Sequence, residues 1–155
     1  MIEGVEVMPL RTFPDERGWF MELRRESSLP APTRQTNVSF SRQGVIRGLH
    51  YHERGQNDLF ACLQGLARVV VLDRSTAETF TVDIGDDNPV GVWIPGHHAH
   101  GFEALTDLLF CYHVTEEYDP DDPDEQGICW ADPRVKHLWS TQSPILSERD
   151  AAACS

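Results

Sequence analysis

The stretch Gly44-Val45-Ile46-Arg47-Gly48-Leu49-His50-Tyr51-His52 sets two histidines at i and i+2, just after an arginine, inside an otherwise apolar segment. On a β-strand, residues two apart share a face. His50 and His52 are therefore expected to project together into a core or cavity, beside whatever Arg47 binds. The plain alternative is a solvated pair on an exposed strand. Unpaired polar groups in an apolar interior are costly, and more histidines recur some fifty residues later, among them His100. A catalytic or metal site is the favoured reading.

Strand signals surround this segment. Gly65 to Asp73 and Thr79 to Ile84 are short, rich in β-branched residues, and bounded by Gly, Asp and Ser. Asp58 to Leu63, Val90 to Ile94 and Leu108 to Thr115 read the same way. Turn signals fall at Arg54-Gly55, Gln64-Gly65, Asp86 to Pro89 and Pro95-Gly96, roughly the 8–12-residue spacing of an all-β sandwich or barrel. The one helix expected is short, from Leu146 to Ala153, with Ser147 as its N-cap. No repeat, low-complexity linker or boundary divides the chain, so residues 1–155 are expected to form a single domain.

Composition narrows the function. The chain has 155 residues, is 40% hydrophobic and carries a net charge of −12. That charge argues against non-specific binding to nucleic acid or an anionic membrane, both of which need a basic surface. A small anionic ligand stays open, because a few arginines can make a local positive pocket. No apolar run reaches the about 18 residues of a membrane span, and Met1 to Glu6 lacks the basic and apolar regions of a signal peptide. Cys62, Cys111, Cys129 and Cys154 show no CxxC spacing, and three sit among apolar residues. Reduced thiols in a cytoplasmic protein are the expectation. The acidic run from Glu116 to Glu125 is most simply a solvated loop.

In order along the chain stand Asp15-Glu16-Arg17-Gly18-Trp19-Phe20-Met21-Glu22, Gln35-Thr36-Asn37-Val38-Ser39, the Gly44 to Tyr51 segment, and Gln64-Gly65. Trp93-Ile94-Pro95, Ala99-His100-Gly101-Phe102, Tyr112, Tyr118, Trp130 to Pro133 and Leu146 to Asp150 follow. Singly these are weak; in this order and spacing they make the chain resemble the nucleotide-sugar 3,5-epimerases typified by dTDP-4-dehydrorhamnose 3,5-epimerase. The resemblance runs from about Asp15 to Asp150. It implies an all-β cupin, a double-stranded β-helix jelly roll. It also implies an isomerase that inverts C3, C5 or both of a 4-keto-6-deoxyhexose on a nucleoside diphosphate, most simply dTDP.

The resemblance assigns roles residue by residue. His50 matches the base that removes the proton next to the ketone, and a side chain with an ordinary pKa of about 6.5 suits that task. Asp150 matches the carboxylate that orients this base, as in the Asp–His part of a triad. Tyr112 matches the acid on the opposite face of the sugar. A proton beside a ketone lies roughly ten pKa units above histidine, on the order of 14 kcal/mol uphill, so the enolate oxygen must be stabilised electrostatically. Arg47 matches a diphosphate-binding arginine, a role suited to a guanidinium fork. Arg17, Phe20 and Glu22 match the segment that reaches the nucleoside, often that of the neighbouring subunit in a homodimer. Gln35 and Asn37 match the lining of the sugar pocket, Tyr118 the stacking tyrosine, and His100 a pocket residue.

The chain also departs from that family. A lysine usual two residues after the glutamine aligned with Gln56 is replaced by Asp58, and His52 stands where glutamine is usual, a candidate cation if protonated. The chain ends five residues past Asp150, without the family's usual extension. These departures sustain two rivals. One is a metal-dependent cupin using His50, His52 and His100, with Gln56 or Asp58 as a fourth ligand. The other is a sugar-nucleotide 3,4-ketoisomerase, whose Arg-Gly-x-His-x-His motif Arg47 to His52 fits equally. A non-enzymatic sugar-binding module is a third class. The later landmarks, Ala99 to Phe102 and Leu146 to Asp150, favour the epimerase over the ketoisomerase. The retained His50, Tyr112 and Asp150 speak against a non-enzymatic module, with no metal and no cofactor expected.

Overall fold

A computed structural model describes residues 1–155. The strands are β1 (Glu6–Pro9), β2 (Thr12–Asp15), β3 (Gly18–Met21), β4 (Gln35–Ser41), β5 (Ile46–Tyr51) and β6 (Asn57–Gln64). They continue with β7 (Leu66–Leu72), β8 (Thr79–Gly85), β9 (Val90–Pro95), β10 (Ala99–Ala104), β11 (Leu108–Val114) and β12 (Gln126–Gly127). The helix α1 (Glu148–Ala152) follows. Its N-cap is Ser147, whose Oγ accepts the Asp150 N–H at 3.1 Å, as the sequence suggests.

Two antiparallel five-stranded sheets, ordered β1-β9-β6-β11-β4 and β12-β5-β10-β7-β8, form the jelly roll, and β2–β3 stand apart as a hairpin. Strand β7 explains the layering. Its run Val69-Val70-Val71-Leu72 is buried on both faces, which is why it is continuously apolar where an exposed strand would alternate. Val69 and Val71 join Phe60, Val92, Ile94 and Phe110 in the core between the sheets. Val70 and Leu72 point the other way, under a second core with Leu49, Val135 and Trp139.

That second core holds the C-terminal segment on the outside of the β5-containing sheet. Buried Glu103, on β10, accepts the backbone N–H groups of Ser140 (2.8 Å) and Thr141 (2.9 Å). Trp139 donates its indole N–H to the Trp130 carbonyl at 2.9 Å. The segment thus brings α1, and Asp150 with it, back beside β5.

The expectation of four reduced thiols is wrong. Cys129 and Cys154 form a disulfide, with Cα atoms 4.6 Å apart and a sequence separation of 25. The pairing is tertiary: β12 lies on β5, and α1 docks next to it, which no local spacing reveals. Cys62 and Cys111 are free and buried. The bridge removes the thiol argument for a reducing compartment. No helix is long and apolar enough to cross a membrane.

Candidate active site

The site begins with an irregularity in β5. His50 pairs with His100 and Arg47 with Phe102, so three steps on β5 oppose two on β10. One extra residue is inserted, a β-bulge. In a regular strand Arg47 and His50, three apart, would point to opposite faces; the bulge turns both into one cavity. Gly48 makes this possible. Its φ is +134°, and a Cβ there would meet the Gly101 Cα at 2.8 Å and the His100 carbonyl oxygen at 2.9 Å. The two glycines let β5 and β10 approach at the bulge.

The cavity encloses about 1020 Å³ and is lined by His50, His52, His100, Tyr112, Arg47, Gln35, Asn37, Tyr118 and Asp150. The sequence reading placed all of these together. Arg17, Phe20 and Glu22 are not among them. They lie on or just after the β2–β3 hairpin, exposed, with Arg17 bonded to Asp15 and Glu22 to Arg25.

His50 donates Nε2–H to Asp150 Oδ1 at 2.6 Å, while Asp150 Oδ2 accepts the Gly48 N–H at 3.1 Å. The carboxylate is thus gripped from two sides. Burial opposes its ionisation, but the bonds to His50 and Gly48 outweigh burial and hold its pKa below the usual carboxylate value. With Nε2–H committed, Nδ1 is the atom left to take a proton. Tyr112 lies across the sheets on β11, paired with Asn37 and Phe60. Burial raises its pKa, and the negative charges of Asp58 and Glu125 raise it further, so the phenol keeps its proton.

Glu125, Asp124 and Arg149 are the site residues missed in the sequence. Glu125 Oε1 lies 3.3 Å from His50 Nδ1 and 2.9 Å from Arg149 Nη2. The Asp124 carbonyl accepts His52 Nδ1–H at 2.5 Å. Glu116 to Pro123 are exposed, as a solvated loop should be, but the run also borders the cavity, and Asp124 and Glu125 are half-buried against the site. A run of like charges carries no sign of burial; only the register of β12 on β5, Gly127 opposite His50, brings it in. Arg149 had one signal, its place next to Asp150 on a capped helix.

The rival metal set also changes. His50 is bonded to Asp150, with Glu125 beside its Nδ1, and the histidines that converge on Asp58 are His52 and His100. Asp58 is fully buried, which disfavours its charge, yet the two imidazoles pull its pKa well below the carboxylate range. Burial likewise pushes His52 down, and the nearby Asp58 carboxylate, together with the Asp124 carbonyl, reverses this to a net rise.

Across the cavity wall stand eight carboxylates and three guanidiniums. Arg54 is bonded to Asp122 at 2.7 Å and Arg149 to Glu125 at 2.9 Å. Arg47 instead donates to neutral oxygens, Ser41 Oγ at 2.9 Å and the Phe40 carbonyl at 3.1 Å. Its charge stays available to an anion.

The profile of the dTDP-4-dehydrorhamnose 3,5-epimerase family matches residues 1–155. The chain belongs to this family. It is an isomerase of the racemase and epimerase class. The epimerase is 39% identical over 150 residues to the spore coat polysaccharide biosynthesis protein SpsL of Bacillus subtilis (strain 168), covering 92% of this chain and 99% of that one. It is 36% identical to the dTDP-4-dehydrorhamnose 3,5-epimerase of Escherichia coli (strain K12), over 96% of this chain and 88% of that protein. Among solved structures, the epimerase RmlC of Legionella pneumophila in complex with dTDP-4-keto-L-rhamnose superposes with a TM-score of 0.87 at 30% identity. That match covers 98% of this epimerase and 87% of the Legionella chain. ChmJ, a 3'-monoepimerase of Streptomyces bikiniensis in complex with dTDP-quinovose, also gives 0.87, at 26% identity and 98% and 83% coverage.

Proposed function

We propose that this epimerase inverts C3, C5 or both of a dTDP-linked 4-keto-6-deoxyhexose by proton abstraction and return through an enolate. His50 is the base, taking the proton on Nδ1 while Asp150 holds Nε2–H and balances the imidazolium that forms. Tyr112 returns a proton on the opposite face, and Arg47 grips the diphosphate. The observation that carries this reading is the 2.6 Å bond of His50 to a buried carboxylate, in the cavity that Tyr112 also lines. The dTDP-4-keto-L-rhamnose of the Legionella structure and the dTDP-quinovose of the Streptomyces structure support the substrate class. Because a double epimerase and a monoepimerase both superpose on this fold, the choice of carbon rests with side chains rather than with architecture.

We also propose a homodimer in which the β2–β3 hairpin supplies Arg17, Phe20 and Glu22 to the neighbour's cavity. The hairpin exposes Trp19 at 61% and Phe20 at 65%, and edge strand β4 exposes Val38 and Phe40. One subunit's cavity leaves only Arg47 without an acidic partner. A second cation from outside would help it hold a diphosphate.

Incubation with dTDP-4-keto-6-deoxyglucose, followed by proton NMR of the sugar ring, tests the reaction. Inverted coupling patterns at C3, C5 or both are expected. A 3-keto product with unchanged stereochemistry would make the protein a ketoisomerase instead.

A further inference from the structure

We propose that His52, Asp58 and His100 bind one divalent transition-metal cation, of the zinc, manganese or iron(II) kind. This departs from the cofactor-free expectation, and it uses a different ligand set from the rival drawn from sequence. One donor atom from each residue lies within 4.8 Å of the other two, and all three side chains are buried.

The rings are aimed. His52 donates Nδ1–H to the Asp124 carbonyl at 2.5 Å, and His100 donates Nδ1–H to the His98 carbonyl at 2.8 Å. A carbonyl only accepts, so the hydrogen of each neutral ring is on Nδ1 and its Nε2 carries a lone pair. Both lone pairs face Asp58. Backbone carbonyls that orient imidazoles from behind in this way are the usual outer support of a metal centre.

The distances discriminate between a shared proton and a cation. Asp58 Oδ2 is 3.1 Å from His100 Nε2, a distance one proton bridges. Asp58 Oδ1 is 3.8 Å from His52 Nε2, too far for a hydrogen bond. A cation with bonds of about 2.1 Å spans ligand atoms roughly 3–3.5 Å apart, so the two Asp58 separations need only a small adjustment, and the three donor atoms, now within 4.8 Å of one another, would draw together on one ion. Without it, His52 Nε2 meets only the Gln56 amide, at 3.1 Å. Gln56 Nε2 is also 3.0 Å from Asp58 Oδ1. Flipping that amide moves no heavy-atom position and would present Oε1 as a fourth donor. Two imidazoles, one carboxylate and an amide oxygen suit zinc, manganese or iron(II) better than magnesium or calcium, which favour oxygen alone.

His52, Gln56, Asp58 and His100 all line the His50 cavity, so the remaining coordination positions open toward it. A cation there would add positive charge to an acid-rich wall and favour an anionic oxygen in the pocket. That role rests on the enolate reading above; the binding itself does not.

The test is uptake by the untagged full chain, without substrate. After chelation and dialysis, the protein is given Zn²⁺, Mn²⁺ or Co²⁺ and desalted, and the retained metal is counted by elemental analysis. About one ion per chain is expected. Co²⁺ should give visible d–d absorption, and the thermal midpoint should rise with added metal. Asp58→Ala and His100→Gln should each lose the ion, whereas His50→Gln should keep it. Circular dichroism checks that the variants fold, and the wild-type Co²⁺ spectrum decides the matter if they do not. Less than about 0.1 ion per chain for all three metals in the wild type would overturn the proposal. Equal loss in His50→Gln and Asp58→Ala would overturn the ligand set. Because no substrate is present, failure of the epimerase reading leaves this result standing.

Discussion

Replacing Asp150 by Asn should disable the base without moving it. The Asp150 carboxylate accepts two hydrogen bonds, His50 Nε2–H at 2.6 Å and the Gly48 N–H at 3.1 Å. An amide has only one acceptor oxygen. If that oxygen keeps the Gly48 N–H, the NH₂ faces His50 Nε2 and requires a lone pair there. The ring hydrogen then moves to Nδ1, the atom that must receive the substrate's proton. A hydrogen bond to a charged partner contributes roughly 1.5–3 kcal/mol, which corresponds to about 10- to 150-fold in rate. The tautomer change adds to this, and the loss in kcat should exceed 100-fold, approaching the ~10⁴ seen for a wrong tautomer in a serine-protease triad. KM should change little, because Asp150 binds the base and not the sugar. Steady-state turnover gives the rate, and ¹⁵N correlation spectra of the imidazole report which ring nitrogen carries the hydrogen. Turnover within threefold of wild type, or a His50 tautomer unchanged in the variant, would refute the reasoning.

Arg47→Ala should raise KM for the nucleotide sugar about 10-fold, the lower end for losing one charge-assisted contact at an exposed guanidinium, with kcat nearly unchanged. A fall in kcat with constant KM would assign Arg47 to the chemistry instead. Tyr112 is held above its ordinary value of 10.0 by burial and by the Asp58 and Glu125 charges. The ratio of inversion to hydrogen exchange should therefore stay constant up to about pH 10, and an earlier decline would move the acid's role to another group. Asp150 has a folded pKa below the ordinary 3.8, so its stabilisation is complete at neutral pH and is lost as the pH falls through the folded value. The urea midpoints of wild type and Asp150→Asn should differ at about pH 7, and the gap should narrow steadily as the pH falls below the ordinary 3.8; a gap that widens in acid would contradict the sign.

The strands were legible because they are short, β-branched and punctuated. Gln64-Gly65 and Pro95-Gly96 both fall at strand ends, as read. The site residues of β5, β10, β11 and α1 were legible because they sit inside spaced motifs. What escaped depended on tertiary register. The pairing of Arg47 with His50 on one face needs an extra residue in β5, which strict alternation hides. Glu125 enters only through β12 lying on β5. The Cys129–Cys154 bond needs both that pairing and the docking of α1. Asp58 was visible as a departure, but its partners were divided differently than the His50-His52 spacing suggested. The bulge and Asp150 claim His50, leaving His52 to His100 and Asp58.

Deuterium wash-in from D₂O into dTDP-4-keto-6-deoxyglucose, compared across wild type, His50→Ala and Tyr112→Phe, tests the central claim most directly. Wild type should incorporate deuterium next to the ketone with inversion. Tyr112→Phe should still exchange but fail to invert, because forming the enolate needs only the base. His50→Ala should incorporate none. Full exchange in His50→Ala would contradict the account and transfer the base to another group, with His52 or His100 the nearest candidates in the cavity.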